Sequence, residues 1–258
     1  MGNPFSKDGA ITKITEAIPG GGWITAPIHA AAGNPIHAAQ AAIAGFDTFA
    51  STVALGPVGA IVANAGNAGL SSIFDELGLN DDKKEVCVQA ARIGDQNEAA
   101  GQQNKATDNY NRAAEVLLQA GTEKISENCR QLSAESGGRR CLKSIQGTFL
   151  LEYDSDWRVD MACGPAKAWE HWYVEDWKGK VVFKAIHSPG RFLRAHPDGH
   201  VDLVDRPQAW ETWKPFKNND GSWSFLSVHG RWLSARQDGS VSTVDRCDAW
   251  EHFWLDWW

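Results

Sequence analysis

The sequence predicts an α+β chain in two parts, a mainly helical amino-terminal half followed by an all-β carboxy-terminal half. Three observations lead there. Only Trp23 of the thirteen tryptophans precedes position 150, whereas the Gly/Ala-rich and amide-rich stretches fall almost wholly before residue 138. An Ala-Trp-Glu unit recurs three times after residue 138, at spacings of 41 and 40 residues. The chain also has 258 residues, more than one compact core usually needs. The division that follows is a Gly/Ala-rich apolar helical segment over 1–80, a polar helical segment over 81–132, a linker at 133–140 and the β domain over 141–258.

The amino terminus, MGNPFS, fits the acylation pattern M-G-x-x-x-[ST], with Gly2 offering its amine and Ser6 the small hydroxyl residue. One myristoyl chain binds membranes only marginally, so stable attachment needs a second signal. The neighbouring sequence offers an apolar one. Between Glu16 and Asp75 the only charged residue is Asp47, and residues 48–74 carry no charge. That run is long enough to span a bilayer, yet Gly56-Pro57 breaks it and Asn64, Asn67, Ser71 and Ser72 dilute it. Its small residues favour close helix packing, so a buried or membrane-associated helical hairpin is expected rather than one spanning helix. His29 and His37, each in a Pro-Ile-His-Ala-Ala unit, lie eight apart across a Gly-Asn-Pro break. They read as two helix starts and not as metal ligands.

Residues 81–130 are rich in Ala, Gln, Asn and Glu and contain no proline, which predicts helix. Val86, Ala90 and Ile93, then Ala113, Val116, Leu117 and Ala120, form a narrow apolar stripe suited to helix packing or to a homo-oligomer. Between the two groups the chain is either one long solvated helix or a hairpin broken near Gly101. Residues 133–140, SAESGGRR, then read as a small, polar linker.

The net charge is −7, divided as −6 over residues 1–138 and −1 over 139–258. Neither part has the net basic character that phosphate binding requires, which argues against nucleic acid. The five cysteines are odd in number and show no CxxC or Cys/His ligand spacing. They read as reduced thiols and, with no secretory signal pattern at the start, predict a cytoplasmic protein, at the inner face of a membrane if Gly2 is acylated. No metal site and no cofactor are expected. No nucleophile elbow, phosphate loop, HExxH or paired-carboxylate motif is visible, so no catalytic residue is assigned and an enzyme is not expected.

The β half carries the strongest pattern. AWEHW at 168–172, AWETW at 209–213 and AWEHF at 249–253 are three copies of one unit. Ahead of the last two, Arg191, Phe192, Leu193 and Ala195 match Arg231, Trp232, Leu233 and Ala235. Asp198-Gly199 likewise matches Asp238-Gly239, and these pairs read as two-residue hairpin turns. Short alternating strands, about four per copy, in three copies favour closure as a trefoil over a propeller, which needs more blades. The repeated Trp169, Phe192, Leu193, Trp210, Trp232, Leu233 and Trp250 are expected to form the shared core. His187 and His229 fall at equivalent positions beside Gly190 and Gly230, a repetition that suits turn residues better than an acid–base pair.

The pattern H-G-R-F/W-L-x-A-x-x-D-G-x-V followed by W-E-x-F/W resembles the fascin-like β-trefoil family, over about residues 139–258. The resemblance implies a binding module of the kind found in actin-bundling fascins and actin-binding hisactophilins. The leading expectation is therefore a membrane-associated adaptor whose partner is actin or another protein. A lectin is the second, with Trp172, Trp213, Trp223 or Trp254 as the solvent-facing platform for a glycan. A membrane-perturbing protein targeted by its trefoil is the third.

Overall fold

A computed structural model describes residue 74 and residues 78–153, 155–186 and 190–258. Gly2, His29, His37, His187 and the 48–74 run apart from Phe74 lie outside the described residues. The chain divides into two units, Met1–Lys124 and Ile125–Trp258.

Helix α1 spans Asp81–Ala99 and α2 spans Gln103–Ala134. Asn80 starts α1 by accepting the Lys83 N–H at 3.0 Å, and Asp81 and Asp82 complement the helix dipole in its first turn. Gly101, at φ 72°, separates the helices, so of the two sequence alternatives the broken one is observed. Within the first unit the helices run antiparallel. Lys83 Nζ donates to Glu123 at 2.8 Å, and the Cys87 thiol donates to the Ala113 carbonyl at 3.6 Å. Ala90, Ala113, Leu117 and Ala120 are buried along the stripe, while Ile93 is exposed. No helix of the described residues is long and apolar enough to cross a membrane.

The last turns of α2, from Ile125, belong to the β unit. Ile125, Cys129 and Leu132 are buried, and the buried Asn128 donates Nδ2–H to the Pro215 carbonyl at 2.9 Å. The expected linker at 133–140 is absent. α2 continues through Ala134, one 3-10 turn covers Glu135–Gly138, and the first strand starts at Arg139. Gly137 and Gly138 both adopt positive φ, which reverses the chain within two residues. The buried Arg140 guanidinium then donates to the carbonyls of Leu132 and Glu135, at 3.2 and 2.9 Å, satisfying the end of the helix. Two glycines, read as slack, form a tight packed turn.

Twelve strands follow among the described residues, four per sequence repeat. They are β1 (Arg139–Ser144), β2 (Phe149–Glu152), β3 (Val159–Ala162) and β4 (Trp172–Asp176), then β5 (Val181–Ala185), β6 (Phe192–Ala195), β7 (Val201–Val204) and β8 (Trp213–Lys217). The third set is β9 (Trp223–Ser227), β10 (Trp232–Ala235), β11 (Val241–Val244) and β12 (Phe253–Asp256). The first and fourth strands of each repeat pair in the cyclic order β1, β4, β5, β8, β9, β12 and back to β1, closing a six-stranded antiparallel barrel. The middle strands form three hairpins, β2–β3, β6–β7 and β10–β11. Closure removes the sheet edges that an open sheet of this length would expose.

The repeat explains the core. Leu142, Phe183 and Phe225 are equivalent, as are Leu150, Leu193 and Leu233, and Trp172, Trp213 and Phe253; all nine are fully buried. Phe183 packs edge-on against Phe225 at 4.8 Å and against Trp213 at 6.4 Å. Both indoles of this set find an acceptor, with Trp172 Nε1 donating to Leu150 O at 2.9 Å and Trp213 Nε1 to Leu193 O at 3.3 Å. The third copy uses Phe253 and needs no partner there.

The hairpin ends lock together in a ring. Leu203 N–H donates to Trp157 O, Thr243 N–H to Gly199 O and Met161 N–H to Gly239 O, at 3.0, 2.8 and 2.8 Å. The turns themselves differ from the two-residue reading. His196 N–H donates to His200 O and Gly199 N–H to His196 O, so the loop has three residues and only its glycine takes positive φ. The Arg236 to Ser240 turn repeats this pattern. Asp198 and Asp238 contribute by accepting the N–H of the residue two ahead, each at 3.0 Å.

Candidate functional site

Each Ala-Trp-Glu unit folds as a single tight turn ahead of the last strand of its repeat. The glutamate points inward. Glu170, Glu211 and Glu251 are buried, and each carboxylate accepts the N–H three residues back, from Lys167, Gln208 and Asp248, at 2.7, 2.6 and 2.7 Å. The N–H groups of His171, Thr212 and His252 close the turns onto the carbonyls of Ala168, Ala209 and Ala249. Burial pushes the Glu251 carboxyl above the usual carboxylate range.

The same geometry fixes both tryptophans of the motif, and in the opposite sense to the sequence reading. Trp169, Trp210 and Trp250, expected in the core, are each 41% exposed, whereas Trp172 and Trp213, expected at the surface, are 0% exposed. Trp223 is also buried and Trp254 is half-buried. The two motif aromatics stand three residues apart and would share a helix face. Here a turn becomes a strand between them, and strand alternation sends the second into the barrel. Phe192, Leu193, Trp232 and Leu233 are buried.

The most elaborated of the three turns is the second. The Trp210 ring meets His196 at 5.5 Å and His229 at 5.1 Å, both close to perpendicular. His229 comes from the following repeat, and its Nε2 lies 3.1 Å from the Ala195 carbonyl, which requires the proton on that nitrogen. Burial holds the His229 pKa below its ordinary value, which favours the neutral ring. His196 Nε2 lies 3.1 Å from Asp202 Oδ1, and Arg194 grips both oxygens of Asp202 at 2.7 and 2.6 Å. Arg194 and Asp202 are directly opposed across β6 and β7. None of His196, Arg194 and Asp202 was singled out from the sequence. The signal was there in the histidines flanking Pro197-Asp198-Gly199, but their proximity to Trp210 depends on the fold.

Burial alone would raise the Asp202 pKa, but Arg194 and His196 outweigh it and hold the carboxyl below its usual range. A lowered folded pKa gives stability that is present above the unfolded value of about 3.9 and is lost as pH falls through the folded one. Urea denaturation of Asp202→Asn should therefore show a shallower loss of stability than wild type below about pH 4. Equal acid sensitivity in the two proteins would remove Asp202 as a contributor.

In the third repeat the Trp250 turn borders a shallow depression of about 380 Å³, lined by Val244, Arg246, Asp248, Ala249, Trp250 and Glu251. Its lining combines the apolar Val244, Ala249 and Trp250 with the charged Arg246, Asp248 and Glu251. The cysteines take no part. All five are unpaired, and burial pushes the Cys129 and Cys247 thiols up to about 12, so both stay protonated. Among the described residues no group of three or more His, Cys, Asp or Glu is arranged to hold a metal ion.

No protein-family model matches the chain, and no curated protein matches it. Among solved structures, one similar chain is SeviL bound to asialo-GM1 saccharide, at 15% identity and a TM-score of 0.41, covering 46% of this chain and 95% of that one. Another is a GlcNAcα1-4Gal-releasing endo-β-galactosidase from Clostridium perfringens, at 14% identity and a TM-score of 0.41, covering 45% of this chain and 31% of that one.

Proposed function

We propose that the β unit is a β-trefoil carbohydrate-binding module, in which Trp169, Trp210 and Trp250 each present an indole to the apolar face of a sugar ring. The closed six-stranded barrel with one hairpin per repeat supports the trefoil assignment. The equal exposure of the motif tryptophan in all three copies carries the binding assignment. Core packing does not require that side chain, because the aromatic three residues on fills the barrel. The buried glutamate holds each turn rigid, so the platform is ordered before any ligand arrives.

The depression of about 380 Å³ beside Trp250 is on the scale of small-molecule sites, which supports a small polar ligand at that turn. A binding role also fits the carboxylates. Each motif glutamate is committed to a backbone N–H, and its recurrence in every repeat is the mark of a scaffold residue rather than a catalytic one.

A glycan array probed with the whole chain tests the reading. Wild type should bind a defined subset, Trp210→Ala should weaken that binding by about tenfold, and the triple variant Trp169→Ala/Trp210→Ala/Trp250→Ala should lose more, since three sites on one barrel act together on a glycan-bearing surface. Unchanged binding by a folded triple variant rejects the turns as the site.

A further inference from the structure

We infer that Trp157, at the tip of the β2–β3 hairpin, is the platform of a separate subsite for a neutral pyranose, present in the first repeat alone. The inference rests on the carbohydrate reading and extends it beyond the Ala-Trp-Glu turns.

Trp157 occupies the place that glycine takes in the other repeats. Its carbonyl accepts the Leu203 N–H just as Gly199 and Gly239 accept from Thr243 and Met161. Its φ is 62°, against 97° and 86° for the two glycines. A bulky residue in this region is strained, and glycine performs the same backbone task twice without strain. The reason for tryptophan must therefore lie in its side chain. That side chain is 37% exposed, so the indole is not held there simply to fill a core.

The surroundings hold one face of the ring and leave sugar-binding chemistry nearby. The Arg191 guanidinium lies 4.2 Å from the ring centroid and is itself largely covered. The contact has a counterpart in the next repeat, where a side chain at Gly199 would meet the Arg231 guanidinium at 3.1 Å. Arginine therefore backs the hairpin tip in both places, and only the first supplies a ring for it to back. Arg191 lies 3.7 Å from Asp205, and Arg158 is matched by Asp160 at 3.2 Å and Asp156 at 3.9 Å while lying over Tyr153. With both cations already matched, the tip has no surplus positive charge for a carboxylated sugar. The exposed carboxylates of Asp156 and Asp205 instead offer acceptors to hydroxyl donors.

The test is an array of neutral and carboxylated glycans probed with the full chain, as wild type, Trp157→Leu, Trp157→Tyr and the triple turn variant. Leucine keeps apolar bulk without a flat face, whereas tyrosine keeps the face. Binding to at least one neutral glycan should fall about tenfold or more in Trp157→Leu and stay within about threefold of wild type in Trp157→Tyr. Their thermal melts should coincide, which separates lost recognition from lost packing. Wild-type binding by Trp157→Leu, or wild-type recognition of carboxylated glycans only, overturns the subsite while leaving the carbohydrate reading standing. Neutral-glycan binding that survives in the triple variant and disappears in Trp157→Leu rejects the turn sites and retains Trp157. A wild-type chain that binds no glycan rejects both.

Discussion

Trp213→Ala is expected to cost about 3–5 kcal/mol of folding stability, while Trp210→Ala, three residues earlier in the same motif, costs only about 1 kcal/mol. Trp213 is fully buried against Phe183, and its indole N–H is bonded to the Leu193 carbonyl. Removing it opens a cavity and leaves that carbonyl unpaired, in a fold whose whole margin is roughly 5–15 kcal/mol. Trp210 is substantially exposed, and its ring contacts are edge contacts with His196 and His229. Urea denaturation measures both, and glycan binding should show the reverse order. Comparable destabilisation by the two substitutions would mean that both indoles are core and would remove the basis for the turn sites.

Gly138→Ala is expected to cost about 3 kcal/mol. A Cβ there would collide with the Val174 carbonyl oxygen, a backbone atom that cannot rotate away, and φ is +73°. Its neighbour Gly137 provides the control. Its φ is +62°, but a Cβ meets nothing within 4 Å, so Gly137→Ala should carry only the left-handed backbone cost of about 1 kcal/mol. A flexible linker would tolerate both changes equally. Chemical denaturation giving small and equal effects would show that the junction between α2 and β1 is slack after all.

The break at Gly101 was one of two legible alternatives, because a glycine in a stretch lacking large apolar side chains is a weak point in any helix. Four short strands per repeat were legible from the alternation around Phe192-Leu193 and Trp232-Leu233. The glycine pair at 137–138 was not, because composition alone does not distinguish a loose glycine from one pressed against a neighbouring strand. Nor was Trp157. The strain that marks it is a dihedral angle, and its repeat equivalence to Gly199 emerges only once the hairpin ends bond in a ring.

The sequence by itself determined the two-part organisation, the threefold period and the identity of the repeating positions. All of these follow from composition and spacing, which are properties of the chain read in one dimension. Only the tertiary structure decided which repeated aromatic faces water. The Ala-Trp-Glu unit is a turn that runs directly into a strand, so two tryptophans three residues apart part company there, one sealed in the barrel and one left outside. Direction relative to a closed barrel is set by the whole fold, and the candidate binding surface belongs to the tryptophan that the barrel leaves exposed.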